Sequence, residues 1–326
     1  MTERATFYSQ EAANRRDSWL LVLVVAVVLG ALGFAIGYGA GGTVQTAIVV
    51  TVGALVLAVV LSVGSYFGGD ALVLSTSGAR EVDANSAPQL LNIVQEMAIA
   101  AGTPMPKVYI IDDSAPNAFA TGRDPQHASV AVTTGILQKL NREELQGVLG
   151  HELSHVRNFD IRFSLLVAVL VGSIALLADF FLRFTFWGGG RRSSNNDRGG
   201  GGLQAVVYLI AIVLAVLAPI FARFVQLAIS RQREYLADAS SVELTRNPHG
   251  LESALAKIAS DQDVLEVANR ATQHLYFTNP IKKFEARSSS MFSTHPPIVD
   301  RINRLRQLTG EAPMDAQEFA ALRGLD

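Results

Sequence analysis

Cysteine is absent from all 326 residues, which excludes disulfides and thiolate metal sites, so any bound metal must rest on His, Asp and Glu. That restriction is severe, because the chain holds only six histidines. Charge is scarce too. Asp, Glu, Lys and Arg make up 17% of the residues against an apolar share of 49%, a balance that points to a membrane protein. The net charge of −2 leaves no basic excess, and no stretch interleaves dense Lys and Arg with aromatics, so nucleic acid is excluded as a partner. The lack of cysteine suits a catalytic portion facing the cytoplasm, although it does not forbid an oxidising compartment.

What is present in quantity is long apolar sequence. Four stretches stand out: Trp19 to Gly37, Val44 to Phe67, Phe163 to Leu182, and Leu203 to Phe221 with an apolar extension to Ile229. Each approaches or exceeds the roughly 18 to 20 residues that cross a bilayer as a helix, which predicts four transmembrane helices in two hairpins. The first is too long for a signal-peptide core and is followed almost at once by another, so it reads as an anchor. Asp179 and Arg183 in the third, and Pro219 and Arg223 in the fourth, call for tilted, kinked or partly interfacial helices. A soluble core helix is the competing reading for those two. Between them, GGGRRSSNNDRGGGG (Gly188 to Gly202) cannot bury a core and reads as a flexible loop.

Arg4, Arg15 and Arg16 precede the first stretch, whereas Tyr38 to Thr43 has no Lys or Arg, which predicts a cytoplasmic amino terminus. The expected organisation is a tail and first hairpin (1–67), a first cytoplasmic part (68–160), a second hairpin carrying the 188–202 loop (161–229), and a second cytoplasmic part (230–326). Arg191, Arg192 and Arg198 fall on the outer side of this arrangement, against the charge rule; the first hairpin is expected to dominate. The cytoplasmic parts read as mainly α with a small β-sheet. Ala87 to Ala101 has a helical pattern, while KVYII (Lys107 to Ile111), NAFATG (Asn117 to Gly122) and SVAVTTG (Ser129 to Gly135) read as short strands. Asn141 then caps a helix whose first turn carries Glu143 and Glu144, the sign that suits a helix amino terminus.

That helix contains HELSH, His151 to His155, which places two imidazoles four residues apart on one face, where both can reach one tetrahedral zinc. Glu152 between them is positioned to act on the attacking water. Leu145, Val148, Leu149 and Val156 recur at helical spacing and argue that the helix is packed rather than an accidental surface pair. A catalytic zinc takes three protein ligands and keeps a fourth position open. His127, His249 and His274 each sit alone in polar context and read as ordinary histidines. REYLADAS offers Glu234 and Asp238, spaced i, i+4. Glu234 can ligate zinc while Asp238 orients a ligand histidine through its outer nitrogen, although by spacing alone such a pair is more often a solvated face. The placement of the second hairpin favours the first reading, since it returns REYLAD to the side on which HELSH ends, at the bilayer surface.

VLGHELSHVRNFD, SRQREYLADAS and MFSTHPPIVDRI together resemble the HtpX family of membrane zinc metallopeptidases, relatives of the CaaX prenyl protease, and NAFATG is similar to the family's asparagine-led strand segment. The resemblance covers essentially the whole chain; the 188–202 loop matches no family motif. It implies a zincin-like (gluzincin) domain with one Zn2+ per chain, held by His151, His155 and Glu234, with Glu152 as the catalytic residue. It further implies endoprotease activity on unfolded or damaged membrane proteins, in quality control and stress response, from a multi-pass position in a bacterial inner membrane with the site facing the cytoplasm. His295 or Arg301 would stabilise an oxyanion or steady the substrate; a helix cap is the competing reading for His295. The strand from Asn117 to Ala120 would pair with an extended substrate. The mechanism expected is metal-assisted hydrolysis, with Glu152 taking and returning the proton. Two other readings are an intramembrane protease, disfavoured by the polar sequence flanking HELSH, and a non-catalytic membrane scaffold or chaperone stabilised by zinc, disfavoured by the presence of Glu152.

Overall fold

In the computed structural model the described residues are 26–38, 43–164, 233–261 and 296–315, with single positions 16, 20, 23, 213, 231, 263, 265, 276, 277, 317, 318 and 321. The chain divides into two compact units. One comprises Met1–Asn14, Phe67–Leu165 and Leu227–Asp326, and the other Arg15–Tyr66 and Leu166–Gln226.

In the second unit, helix α1 (Ala26–Tyr38) packs against the start of α2 (Val44–Thr76). Small residues allow the approach: a Cβ on Gly33 would lie 3.1 Å from the Thr51 Cα, and one on Gly37 would lie 2.7 Å from the Ala47 Cα. Such Gly-x-x-x-Gly contacts replace the hydrophobic drive that is missing between helices in lipid. Among the described residues one helix is long and apolar enough to cross a membrane, over Val44–Gly64, and it presents exposed apolar side chains such as Ile48, Val49, Val52, Val56 and Val59. Of the four apolar stretches expected from sequence, the second is this helix and the first overlaps the shorter α1. The third and fourth fall almost wholly outside the described residues.

The first unit is mainly helical around a four-stranded sheet. The strands are β1 (Arg80–Glu81), β2 (Lys107–Ile111), β3 (Ala118–Gly122) and β4 (Ala128–Thr133), in the order β1-β2-β4-β3. β2 runs parallel to β4, and β3 pairs antiparallel to β4 with Ala118 opposite Val132 and Ala120 opposite Val130. β3 is thus an edge strand. Side chains alternate between the two faces: Val108, Ala118, Ala120, Val130 and Val132 join the main core, whereas Ile111, Phe119 and Ala131 join a smaller cluster with Val73, Leu74 and Tyr276.

The main core lies between the sheet and four helices: α3 (Pro88–Ala101), α5 (Arg142–Arg157), α7 (Pro248–Ser260) and α8 (Ile298–Thr309). The short α4 (Thr134–Lys139) leads from β4 toward α5, and α6 covers residues 233–245. α5 is the central element, buried nearly all round. Its start is fixed by a capping box, in which the Glu144 N–H donates to the Asn141 side chain at 2.9 Å and the Asn141 N–H donates to Glu144 at 2.8 Å. Glu144 also accepts from Ser253 and Lys257 of α7, so one carboxylate joins the two helices. Gly147 lets them meet backbone to backbone, since a Cβ there would lie 2.7 Å from the Leu251 nitrogen.

Candidate metal centre

His151 and His155 leave the same face of α5, one turn apart, and Glu234 approaches from α6. The two histidine Nε2 atoms are 3.1 Å apart, and the Glu234 carboxylate oxygens lie 3.6 Å from each of them. A tetrahedral ion with bonds of about 2.0 to 2.1 Å has ligand atoms about 3.3 to 3.5 Å apart, and one ligand atom from each of the three residues lies within 4.8 Å of the others, close enough to hold one small cation. The hydrogen bonds at the outer nitrogens point the same way. His151 Nδ1 meets Asp238 Oδ1 at 2.9 Å, and His155 Nδ1 meets Asp160 Oδ2 at 3.0 Å. A carboxylate accepts and cannot donate, so each Nδ1 carries the proton and each Nε2 turns its lone pair inward. Two lone pairs facing one another at 3.1 Å repel unless positive charge lies between them. Burial draws the His155 pKa down, but Asp160, Glu234 and Glu152 outweigh burial and push it up to about 9.

α6 presents this face at helical spacing, with Glu234, Asp238 and Ser241 all buried. Ser241 donates to the Gly147 carbonyl at 2.6 Å and ties α6 to α5. Asp238 in turn receives Arg301 of α8, whose Nη2 and Nε donate at 2.6 and 2.9 Å. Burial opposes ionisation of Asp238, yet Arg301 and His151 together hold its carboxyl below the usual range. Arg301 is fully buried, stacked over Phe277 at 4.6 Å, and lies 3.7 Å from Glu234. Its guanidinium therefore sits behind the ligand set.

Glu152 is buried beside the triad and accepts from the Ala120 N–H of edge strand β3. Burial pushes its carboxyl up; His151 and His155 pull against this, Glu234 adds to it, and the net shift is upward. A carboxylate so raised is a stronger base than a free one.

These residues lie within residues 84–309, which match the family model "Peptidase family M48". The chain belongs to peptidase family M48. It is also 47% identical over 307 residues to "Protease HtpX homolog" of Streptococcus thermophilus (strain CNRZ 1066), covering 92% of this chain and 99% of that one. The protein of the same title from Streptococcus agalactiae serotype III (strain NEM316) is 48% identical over 301 residues, with the same coverage. A solved structure with some likeness is "Crystal Structure of S. mikatae Ste24p", at 16% identity and a TM-score of 0.46, covering 89% of this chain and 66% of that one. This M48 protein is a metallopeptidase.

Of the residues singled out from the M48 sequence, His151, Glu152, His155, Glu234, Asp238 and Arg301 come together in one buried cluster. Asn117 lies at the start of β3, buried, with its side-chain oxygen accepting from the Ala118 N–H at 3.0 Å and its carbonyl from the Thr133 N–H at 3.0 Å. His295 lies outside the described residues. The sequence reading missed Asp160, Arg233 and Ser241. Asp160 follows His155 by five residues, off the helical face, so only the chain path after α5 reveals it.

Proposed function

We propose that this metallopeptidase is a membrane-bound zinc endoprotease, with the metal held by His151, His155 and Glu234, and with unfolded or damaged membrane proteins as substrates in quality control and stress response. The observation that carries the reading is the convergence of two inward-facing Nε2 atoms and one carboxylate beside a buried, separately held Glu152. When bound, zinc makes a water acidic near neutral pH and polarises a carbonyl oxygen. Glu152 takes the proton of the attacking water and delivers it to the leaving amine. Asp238 and Asp160 hold the imidazoles in the tautomer that leaves Nε2 available. Arg301 serves by holding Asp238 rather than by touching an oxyanion, because its donors are directed at Asp238 and the Phe277 carbonyl, with His151 Nδ1 and Glu234 at 3.3 and 3.7 Å.

Substrate recognition is assigned to edge strand β3. The Asn117 carbonyl bonds toward β4, so Phe119 and Thr121 do likewise, and Ala118 and Ala120 turn their backbone groups to the outer edge. Phe277 already donates to the Ala118 carbonyl at 2.7 Å and the Ala120 N–H is directed at Glu152, which leaves the Ala120 carbonyl for pairing. An extended peptide there would lie beside Glu152, and main-chain pairing favours unfolded segments over a fixed side-chain consensus. The remainder of the reading is a multi-pass position in a bacterial inner membrane, with two hairpins and the site facing the cytoplasm; the apolar helix Val44–Gly64 and the basic amino terminus support it.

The test is Glu152→Gln in the full-length protein. Glutamine keeps the shape but cannot accept a proton at neutral pH, so cleavage of an unfolded protein should fall by about 10² to 10⁴-fold while zinc content stays at one per chain. Full proteolysis by a folded, zinc-loaded Glu152→Gln protein would remove this mechanism.

A further inference from the structure

We propose that Asp160 is a positioning residue for His155, aimed by a left-handed turn at Phe159 and braced by Arg233; the proposal rests on the reading that His151, His155 and Glu234 hold the metal. In a continuous helix, residues five apart point roughly 140° away from each other, so Asp160 would face away from His155. The helix does not continue. α5 ends at Arg157, Asn158 follows as its cap, and Phe159 adopts φ 60. Left-handed backbone is the territory of Gly and Asn, and a bulky aromatic there is strained. Helical structure resumes at Asp160, with the Phe163 N–H directed at the Phe159 carbonyl. The single inverted residue swings Asp160 back over the last turn of α5, to 3.0 Å from His155 Nδ1.

Strain of this kind persists where the surroundings over-determine it. Here the surroundings form a closed loop of contacts. The other oxygen of Asp160 lies 3.6 Å from Arg233 Nη1; Arg233 stacks over Phe163 at 3.7 Å and is followed in the chain by Glu234; and Glu234 returns to His155 Nε2 at 3.6 Å. Asp160 is 3% exposed and Arg233 keeps 11% of its side chain accessible, so the pair acts in a medium that screens it little. His155 is thus oriented by one carboxylate and arginine pair, as His151 is by Asp238 with Arg301. The difference is where the parts come from. Asp238 and Arg301 belong to α6 and α8, whereas Asp160 and Arg233 flank the segment that contains the third and fourth apolar stretches.

The experiment uses purified full-length protein and compares Asp160→Asn, Phe159→Gly and Phe159→Val with wild type. It reads zinc affinity by competition with a chelator and the visible spectrum of the cobalt(II)-loaded protein, which reports ligand geometry independently of turnover. Asp160→Asn should weaken zinc by about 10 to 100-fold and alter the cobalt spectrum. Phe159→Gly keeps the left-handed turn without strain and should hold zinc within about twofold of wild type. Phe159→Val, β-branched and unfavourable at that φ, should behave like Asp160→Asn. If Asp160→Asn does not fold, the contrast between the two Phe159 variants decides instead. Wild-type affinity and an unchanged spectrum in Asp160→Asn, or equal behaviour of the two Phe159 variants, would overturn the proposal. His155→Ala separates the two levels: retained zinc there would sink the ligand assignment itself, whereas lost zinc beside an unaffected Asp160→Asn would sink only the positioning role.

Discussion

Replacing Gly147 by alanine sets helix propensity against packing, and the structure says which prevails. Alanine in a helix interior is favoured over glycine by about 0.8 to 1 kcal/mol. The new methyl group, however, would lie 2.7 Å from the Leu251 nitrogen, 2.8 Å from its Cα and 3.1 Å from the Gly250 carbonyl carbon, all of them backbone atoms. Ordinary contact begins near 3.4 Å, so α7 would have to retreat by about 0.7 Å. Its first turn is not free to do so, because Leu251 is fully buried, Asn247 caps the Gly250 N–H, and Lys257 and Ser253 hold Glu144. Overpacking of this kind costs about 1 to 3 kcal/mol, and contact with three backbone atoms puts Gly147→Ala in the upper half of that range, which leaves a net loss of about 1 to 2 kcal/mol. For a domain of this size that corresponds to a fall of roughly 2 to 8 °C in melting temperature. Thermal unfolding of the purified protein measures it, with Gly53→Ala as control, since a Cβ at Gly53 meets nothing within 4 Å and should be neutral or stabilising. A Gly147→Ala protein melting at or above wild type would refute the close contact between α5 and α7.

Arg301→Met should lower stability by about 3 to 5 kcal/mol, because Asp238 would be left as a buried charge without its cation, and should weaken zinc as well; unfolding and chelator competition would show both. Glu234→Ala should abolish most metal binding and Asp238→Ala should weaken it by about 10 to 100-fold, read by metal analysis after dialysis; full occupancy in Glu234→Ala would reassign the third ligand. Because the chain lacks cysteine, single-cysteine labelling is clean: a cysteine at Thr43 should react from outside the cytoplasm and one at Asp261 should not, and the reverse pattern would invert the orientation.

Residues obeying a simple period were legible in the sequence. The two histidines of HELSH, the apolar positions around them, the Asn141 cap and the strands expected over Lys107 to Ile111 and Asn117 to Gly122 follow from helix or strand spacing and are placed within a residue of expectation, whereas the strand expected over Ser129 to Gly135 stops at Thr133, because Thr133 caps a short helix that starts at Thr134. Glu234 with Asp238 was legible as a pair, though the sequence offers no distance between α6 and α5. Asp160 was hidden because its contact depends on one inverted residue, and nothing in the letters N-F-D marks Phe159 for a left-handed turn. Arg301 was legible as a residue near the site, but its main contact was not. Its motif suggested a group facing substrate, whereas long-range packing of α8 buries it against Asp238.

The buried cluster has a consequence for charge balance. With neutral histidines, Glu152, Asp160, Glu234 and Asp238 contribute four negative charges against two positive ones from Arg233 and Arg301, an excess of two. Two uncompensated charges in a low-dielectric interior are costly, and a dication cancels both where a monovalent ion would leave one. On the proposed ligand set, the interior would select valence before geometry selects the element. Departure of the ion has to be matched by protons entering the same cluster, so metal exchange is coupled to proton uptake, and its equilibrium will move with acidity even where no ligand is changed.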